Sequence, residues 1–130
     1  MFDWLANPNR FNRITKKLQP FILFIAVITL ISGLYFGLYD SPKDYQQGDA
    51  VRIMYVHVPS AWLATFLYFS LAISCVFYLV WKHPLADLVS SSIAPIGALF
   101  SALTLITGSL WGKPMWGTWW VWDARLTSML

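Results

Sequence analysis

The chain has 130 residues, of which 58% are hydrophobic and only 12% are charged. Soluble domains carry about 25% charged residues, so this composition argues against one. The net charge of +3 does not indicate nucleic-acid binding, because a cluster of basic residues precedes the first apolar run and no nucleic-acid-binding motif is present. The single cysteine, Cys75, excludes a disulfide within the chain and any Cys-x-x-Cys redox motif.

Three long apolar runs predict membrane-spanning helices. Residues 18–39 and 88–112 contain no charged side chain, and in residues 53–81 only His57 could become charged. A transmembrane helix needs about 20 such residues. We therefore predict an all-α integral membrane protein with three transmembrane helices and the start of a fourth, and we consider buried core helices the weaker alternative.

The positions of charged residues divide the chain and orient it. Basic residues are enriched in the N-terminal tail, which indicates a cytoplasmic N-terminus. Pro20 suits the start of the first helix. In chain order we predict a cytoplasmic basic tail (1–17), a first span (18–39), a periplasmic loop containing His57 (40–58), a second span (59–81), a cytoplasmic turn (82–88), a third span (89–111), a periplasmic tryptophan-rich loop (112–124) and the truncated start of a fourth span (125–130).

The tryptophan-rich loop is the most unusual segment. Five of the eight tryptophans lie between positions 111 and 123. Tryptophan is enriched at membrane interfaces, but an interfacial belt explains one or two indoles rather than five. A helix would align Trp116, Trp119, Trp120 and Asp123 on one face, whereas a strand would align Trp116, Trp120 and Trp122. Glycines and a proline within the loop argue against a long helix.

Two stretches of sequence carry a family resemblance. Residues 116–123, Trp-Gly-Thr-Trp-Trp-Val-Trp-Asp, resemble the tryptophan-rich signature of haem-handling proteins of cytochrome c biogenesis. Residues 54–62, Met-Tyr-Val-His-Val-Pro-Ser-Ala-Trp, resemble the first histidine region of the CcmC (haem exporter protein C) family. Two larger relatives, CcmF and CcsA, carry the signature in much longer chains. The resemblance covers essentially the whole sequence and implies the N-terminal half of a six-span protein.

This resemblance implies a function, a cofactor and partners. Such proteins hold non-covalent b-type haem at the periplasmic face of the bacterial inner membrane and offer it to the haem chaperone CcmE. They work with the ABC transporter subunits CcmA and CcmB, and the small subunit CcmD is a further expected partner. The sequence contains no phosphate-binding loop and no nucleophile–base constellation, so we do not expect an enzyme.

The resemblance also implies site residues. His57 matches an axial haem ligand, and the second axial histidine of the family belongs to a later loop that this sequence does not reach. The residues expected to contact haem are His57, Trp116, Gly117, Trp119, Trp120, Trp122, Asp123 and Arg125. Arg52, Lys113 and Arg125 are candidates for pairing with the haem propionates, although snorkelling at the interface explains such residues equally well. Asp123 is also predicted to cap the helix that follows it.

Two other functions remain open at this stage. A membrane b-type cytochrome would need two histidines at matching depth, but His83 lies at the other end of the second span, about 30 Å from His57. A structural subunit would use the tryptophan-rich loop only as an interfacial anchor. Small residues along the third span are predicted to serve close helix packing.

Overall fold

The computed structural model describes residues 8–130, which form helices joined by short connections. Helix α1 spans Pro8–Tyr35 and continues as a π-helical turn, Phe36–Asp40. Helix α2 spans Val51–Trp81, α3 spans Pro84–Trp116, and α4 is a single turn, Ala124–Thr127. The described residues contain no strand. Three of these helical segments are long and apolar enough to cross a membrane, which confirms the predicted all-α membrane class.

Helix α1 belongs to a first compact unit, residues 1–40. The helix begins at Pro8, so the second half of the predicted tail is helical, and residues 1–7 of that tail lie outside the described residues. Pro20 lies inside α1 rather than at its start. Apolar side chains such as Phe21 and Phe24 are exposed in this unit, as expected of a helix whose surroundings are lipid or other spans.

Helices α2 and α3 form an antiparallel pair within the second unit, residues 41–130. The connection is short because Lys82 adopts the left-handed conformation (φ 51°) and donates its backbone N–H to the Tyr78 carbonyl. Pro84 then opens α3 at a position where a missing N–H costs nothing. The turn therefore fixes the register in which the two helices face each other.

Small residues form the contact between α2 and α3. Ser60 and Ala64 of α2 and Thr104 of α3 are buried, each at most 5% exposed. A Cβ atom added at Gly97 would meet Leu67 Cβ at 3.7 Å, which is an ordinary contact distance. Side chains of this size let helix backbones approach closely in a membrane. Among the small residues of α3, Gly97, Ser101 and Thr104 are thus buried or half-buried, whereas Ala94, Ala98 and Ala102 are exposed.

The ends of the helices differ from the predicted segment boundaries. Helix α2 begins at Val51, so His57 lies in its second turn and not in a loop. Helix α3 continues through Gly112 and Pro114 and ends at Trp116. These shifts arise because charged residues mark the membrane surface, whereas helical hydrogen bonds extend beyond it. The depths at which the helices enter the membrane stay predictions.

Candidate haem-binding end of the α2–α3 pair

His57 is held against α3 by a side-chain hydrogen bond. Its Nδ1 lies 3.0 Å from Thr107 Oγ1, and the ring is half-buried. The Thr107 hydroxyl lies 2.6 Å from the Leu103 carbonyl, to which it donates its only hydrogen. Because that hydrogen is already used, Thr107 Oγ1 presents a lone pair to the imidazole, an arrangement that suits a proton on Nδ1 and a lone pair on Nε2.

Gly108 makes room for the imidazole. A Cβ atom at position 108 would lie 3.1 Å from His57 Cε1 and 3.6 Å from Nδ1. The first distance is closer than side-chain contacts normally come, so the ring occupies space that only glycine leaves free. The sequence interpretation missed both Thr107 and Gly108. The register of the two helices would have identified them, because an antiparallel pair that turns at Lys82 and His83 places position 57 opposite positions 107 and 108.

Gln47 joins the first loop of this unit to the tryptophan-rich end. Its Oε1 accepts a hydrogen bond of 2.9 Å from Trp111 Nε1, which lies in the last turns of α3. The loop before α2 and the end of α3 therefore meet, as expected for two segments predicted on one face. Gln47 was not predicted as part of the site, and an irregular loop offers no periodic signal that would have identified it.

Trp116 ends α3 and folds back over it. Its ring would lie 3.4 Å from a Cβ atom at Gly112, and its centroid is 5.1 Å from that of Trp111 at nearly a right angle. Gly117 follows with φ 78°, a left-handed conformation that favours glycine, and its N–H caps the Lys113 carbonyl. The glycine of the signature thus turns the chain out of the helix.

Residues 118–123 are neither helical nor extended in a strand. Trp120 and Trp122 pack edge to face with centroids 5.5 Å apart, and the Thr118 hydroxyl donates to the Trp120 carbonyl at 3.1 Å. Trp119 and Trp122 are exposed, Trp122 at 77%. Neither the helical nor the strand alignment of the tryptophans is therefore correct, because Gly117 ends the helix directly after Trp116 and the later tryptophans lie in irregular backbone.

Asp123 caps α4, which confirms that prediction. Its carboxylate accepts a bond of 2.9 Å from the Leu126 N–H and pairs with Arg125 at 2.7 Å. These two contacts, the backbone bond first, hold the pKa of Asp123 below its ordinary value. The Arg125 guanidinium also lies 5.3 Å from the centroid of the Trp116 ring. Trp116, Asp123 and Arg125 thus form one cluster across the loop.

The other two basic candidates have different surroundings. Arg52 donates to the Ser41 carbonyl at 3.2 Å and lies 3.9 Å from Asp49, whose pKa is lowered chiefly by its bond to Lys43. Lys113 donates to the Gly117 carbonyl and lies 5.8 Å from the Trp119 ring centroid. All three cations are therefore on the same end of the α2–α3 pair, in local contacts.

His83 lies at the opposite end of the pair, at the start of α3. The helix from residue 57 to residue 81 rises about 36 Å, so the two histidines do not meet within the chain. Along α3, Trp116 lies about 13 Å beyond Thr107. The predicted residues therefore gather at one end, with His57 deeper in the helix pair than the tryptophans.

Two polar atoms at this end lack a hydrogen-bond partner within residues 8–130. They are the indole nitrogen of Trp120 and Nε of Arg52, and both atoms are buried. A buried donor without an acceptor is uncommon in proteins. Both atoms are donors, so the group that would satisfy them is an acceptor such as a carboxylate. The same described residues contain no cluster of three or more metal-ligating side chains.

Comparison with known proteins gives a consistent family. The family model for heme exporter protein C matches residues 1–130. The chain is 53% identical over 126 residues to heme exporter protein C of Bradyrhizobium diazoefficiens, covering 97% of this chain and 48% of that protein. It is 51% identical to the Haemophilus influenzae protein of the same name, covering 100% of this chain and 54% of the relative. The corresponding protein of Escherichia coli K12 is 48% identical, covering 97% and 51%.

The chain spans about half the length of the curated relatives it matches. The match nevertheless includes nearly all of the chain, with both helices of the α2–α3 pair and the tryptophan-rich loop. The chain therefore belongs to the heme exporter protein C (CcmC) family.

Proposed function

We propose that this chain takes part in holding non-covalent b-type haem at one face of a bacterial inner membrane, for transfer to the haem chaperone CcmE during cytochrome c maturation. The observation that supports this most is the position of His57. It is packed against α3 at the same end as the tryptophan-rich loop, and its Nδ1 faces Thr107, which would leave the lone pair of Nε2 for a metal. Neutral imidazole is a common axial ligand of haem iron.

The residues around His57 fit the chemistry of haem. The exposed rings of Trp119 and Trp122 offer flat apolar surfaces, and Trp120 packs edge to face against Trp122. Trp116 and Gly117 end α3 and lead the chain into this segment. The unpartnered donor of Trp120 suits a propionate oxygen, which is an acceptor. Haem would supply iron with open axial positions, and this chain's own part is to ligate, stack and neutralise charge.

Cationic side chains would pair with the propionates. Arg125 is the principal candidate because it follows the signature and is 76% exposed in its side chain. Asp123 would then orient Arg125 through the ion pair rather than contact haem iron. Arg52 has a buried Nε without a partner and is a second candidate, and Lys113 is a third.

The orientation in the membrane and the partner proteins are part of the same proposal, which the family membership supports. The haem-binding face would be periplasmic and the N-terminus cytoplasmic. CcmA and CcmB would supply transporter energy, and CcmD would be a further subunit. The described chain would contribute one axial ligand and most of the aromatic surface, and presentation of haem rather than catalysis would be its role.

Haem titration tests the proposal. The purified chain in detergent micelles is titrated with haemin while the Soret band is recorded. We expect a shifted Soret band for the wild type. We expect His57→Ala to lower the haemin affinity by more than about 100-fold, because removing a metal ligand weakens binding more than removing a residue that supports the ligand. His83→Ala is the matched control and should titrate like the wild type.

Two results would contradict this function. Wild-type titration curves in both His57→Ala and His83→Ala would indicate unspecific partition of haem into the micelle. Absence of any shift in the wild type would favour the structural alternative, in which the tryptophans only anchor the chain at the interface.

A further inference from the structure

The hydroxyl of Thr107 lies between His57 and two backbone carbonyls of α3. Its oxygen lies 2.6 Å from the Leu103 carbonyl, 3.3 Å from the Thr104 carbonyl and 3.0 Å from His57 Nδ1. A threonine hydroxyl has a single hydrogen and two acceptor lone pairs. Both nearby carbonyls are acceptors only, so the hydrogen points along α3 and a lone pair faces the imidazole.

We propose that Thr107 is a positioning residue that keeps His57 protonated at Nδ1, so that Nε2 is the nitrogen offered to haem iron. The inference rests on the proposed function for the identity of the metal. The hydrogen-bond geometry on which it depends belongs to the chain alone. Outer partners of this kind fix the tautomer and the ring orientation of ligating histidines and raise their basicity.

Gly108 reinforces the same arrangement from the next position of α3. The imidazole edge carrying Cε1 and Nδ1 lies where a side chain at position 108 would begin, with Cε1 3.1 Å from the missing Cβ. This edge therefore faces the α3 backbone. Nε2 is separated from Nδ1 by Cε1, so a ring docked through Nδ1 directs its other nitrogen away from Thr107.

A nearby threonine provides a matched control. Thr104 lies one turn before Thr107 and is more buried, at 5% exposed, and its hydroxyl donates to the Phe100 carbonyl at 2.8 Å. Thr104→Val and Thr107→Val remove the same hydroxyl from the same helix. Only the second removes the side-chain acceptor of His57. Thr107→Ser keeps that acceptor and should restore the wild-type behaviour.

The first measurement uses the chain without haem. Nitrogen NMR of histidine-labelled protein in micelles, at an alkaline pH where imidazole is neutral, reports which ring nitrogen carries the proton. We expect a protonated Nδ1 and a bare Nε2 for His57 in the wild type, Thr104→Val and Thr107→Ser. In Thr107→Val the Nε2-protonated form should appear. His57→Ala assigns the signals.

The second measurement adds haemin to the same four proteins. We expect Thr107→Val to bind about tenfold more weakly, within the range known for lost outer partners of metal ligands. Its Soret maximum and iron–histidine stretching frequency should also change, whereas Thr104→Val and Thr107→Ser should match the wild type. Far-ultraviolet circular dichroism verifies that all four remain equally helical.

The outcomes separate this inference from the proposed function. Protonation of Nε2 in the wild type, or an unchanged tautomer in Thr107→Val, would overturn the role of Thr107 even if haem binds normally. Wild-type protein with the expected tautomer but no haem binding would overturn the proposed function and, with it, the ligand role of Nε2. If Thr107→Val loses helical content, Thr107→Ser is compared with the wild type in its place. The two proteins must then have the same tautomer and the same haemin affinity.

Discussion

The two ends of the α2–α3 pair are built differently, although the same two helices form both. At the end with the turn, Lys82 and His83 connect the helices in the shortest way, and the side chains there are exposed. At the other end, hydrogen bonds join His57 to Thr107 and Gln47 to Trp111 across the pair. A connection needs only backbone geometry, whereas a binding site needs side chains held in place, and the hydrogen bonds across the pair hold them at the second end.

Of the changes that would disturb the end of the pair holding His57, we expect the largest effect from filling the space beside the imidazole. Gly108→Ala adds a Cβ atom 3.1 Å from the imidazole and forces the ring to shift, whereas Gly97→Ala adds one at an ordinary 3.7 Å from Leu67. Both changes gain up to about 1 kcal/mol of helix propensity. We expect haemin affinity to fall about tenfold or more in Gly108→Ala alone, measured by Soret titration. Equal affinities in the two variants would show that His57 is not held by close packing.

A smaller effect is expected from separating the first loop from α3. Gln47→Ala removes the acceptor of the Trp111 indole N–H and should lower the free energy of unfolding by about 1 kcal/mol. The neighbouring Gln46→Ala is the control, because Gln46 is exposed and its backbone supplies the bond to Asp44. Thermal unfolding followed by circular dichroism makes the comparison. A larger loss in Gln46→Ala would mean that the loop is held by other contacts.

The smallest effect concerns the pH dependence of the α4 cap. Because the folded pKa of Asp123 is lowered, its stabilising contribution is complete above the unfolded value, near 4, and is lost as the pH falls through the folded pKa. Asp123→Asn retains a capping side chain but has no such titration. The difference in unfolding free energy between the two proteins should therefore shrink with acidification. If the difference in unfolding free energy stayed constant down to acidic pH, the ionised carboxylate of Asp123 would not contribute to the cap.

The sequence was sufficient to predict the class of fold, because the length of its uncharged apolar runs indicates membrane-spanning helices. It was insufficient for the helix ends. Gly112 and Pro114 argued for a break, yet α3 continues through both, since the missing Cβ at Gly112 accommodates the Trp116 ring and membrane helices tolerate proline. The signal that ends the helix is Gly117, whose positive φ was not readable from composition.

The structure brings the predicted histidine and tryptophans to one end of the α2–α3 pair and adds supporting residues that the sequence did not indicate. The histidine and tryptophans were identified by chemistry and resemblance, and their ligand roles stay predictions. Thr107 and Gly108 were not predicted, because a threonine or a glycine in an apolar run indicates a site only when the residue opposite it in the helix pair is known. The register set by the turn at Lys82 supplies that partner, so counting outward from the turn would have found both.

The contact of Arg125 with Trp116 has a consequence for the seven residues between helices α3 and α4. Trp116 and Asp123, which flank residues 117–122, are tied together through Arg125, with the guanidinium 5.3 Å from the indole centroid and paired to the carboxylate at 2.7 Å. The two ends of the loop are thus held together by non-covalent contacts in the free chain. Joining the two ends lowers the conformational entropy left to the backbone of residues 117–122 in the free chain, so ordering this segment around a flat ligand would cost correspondingly less.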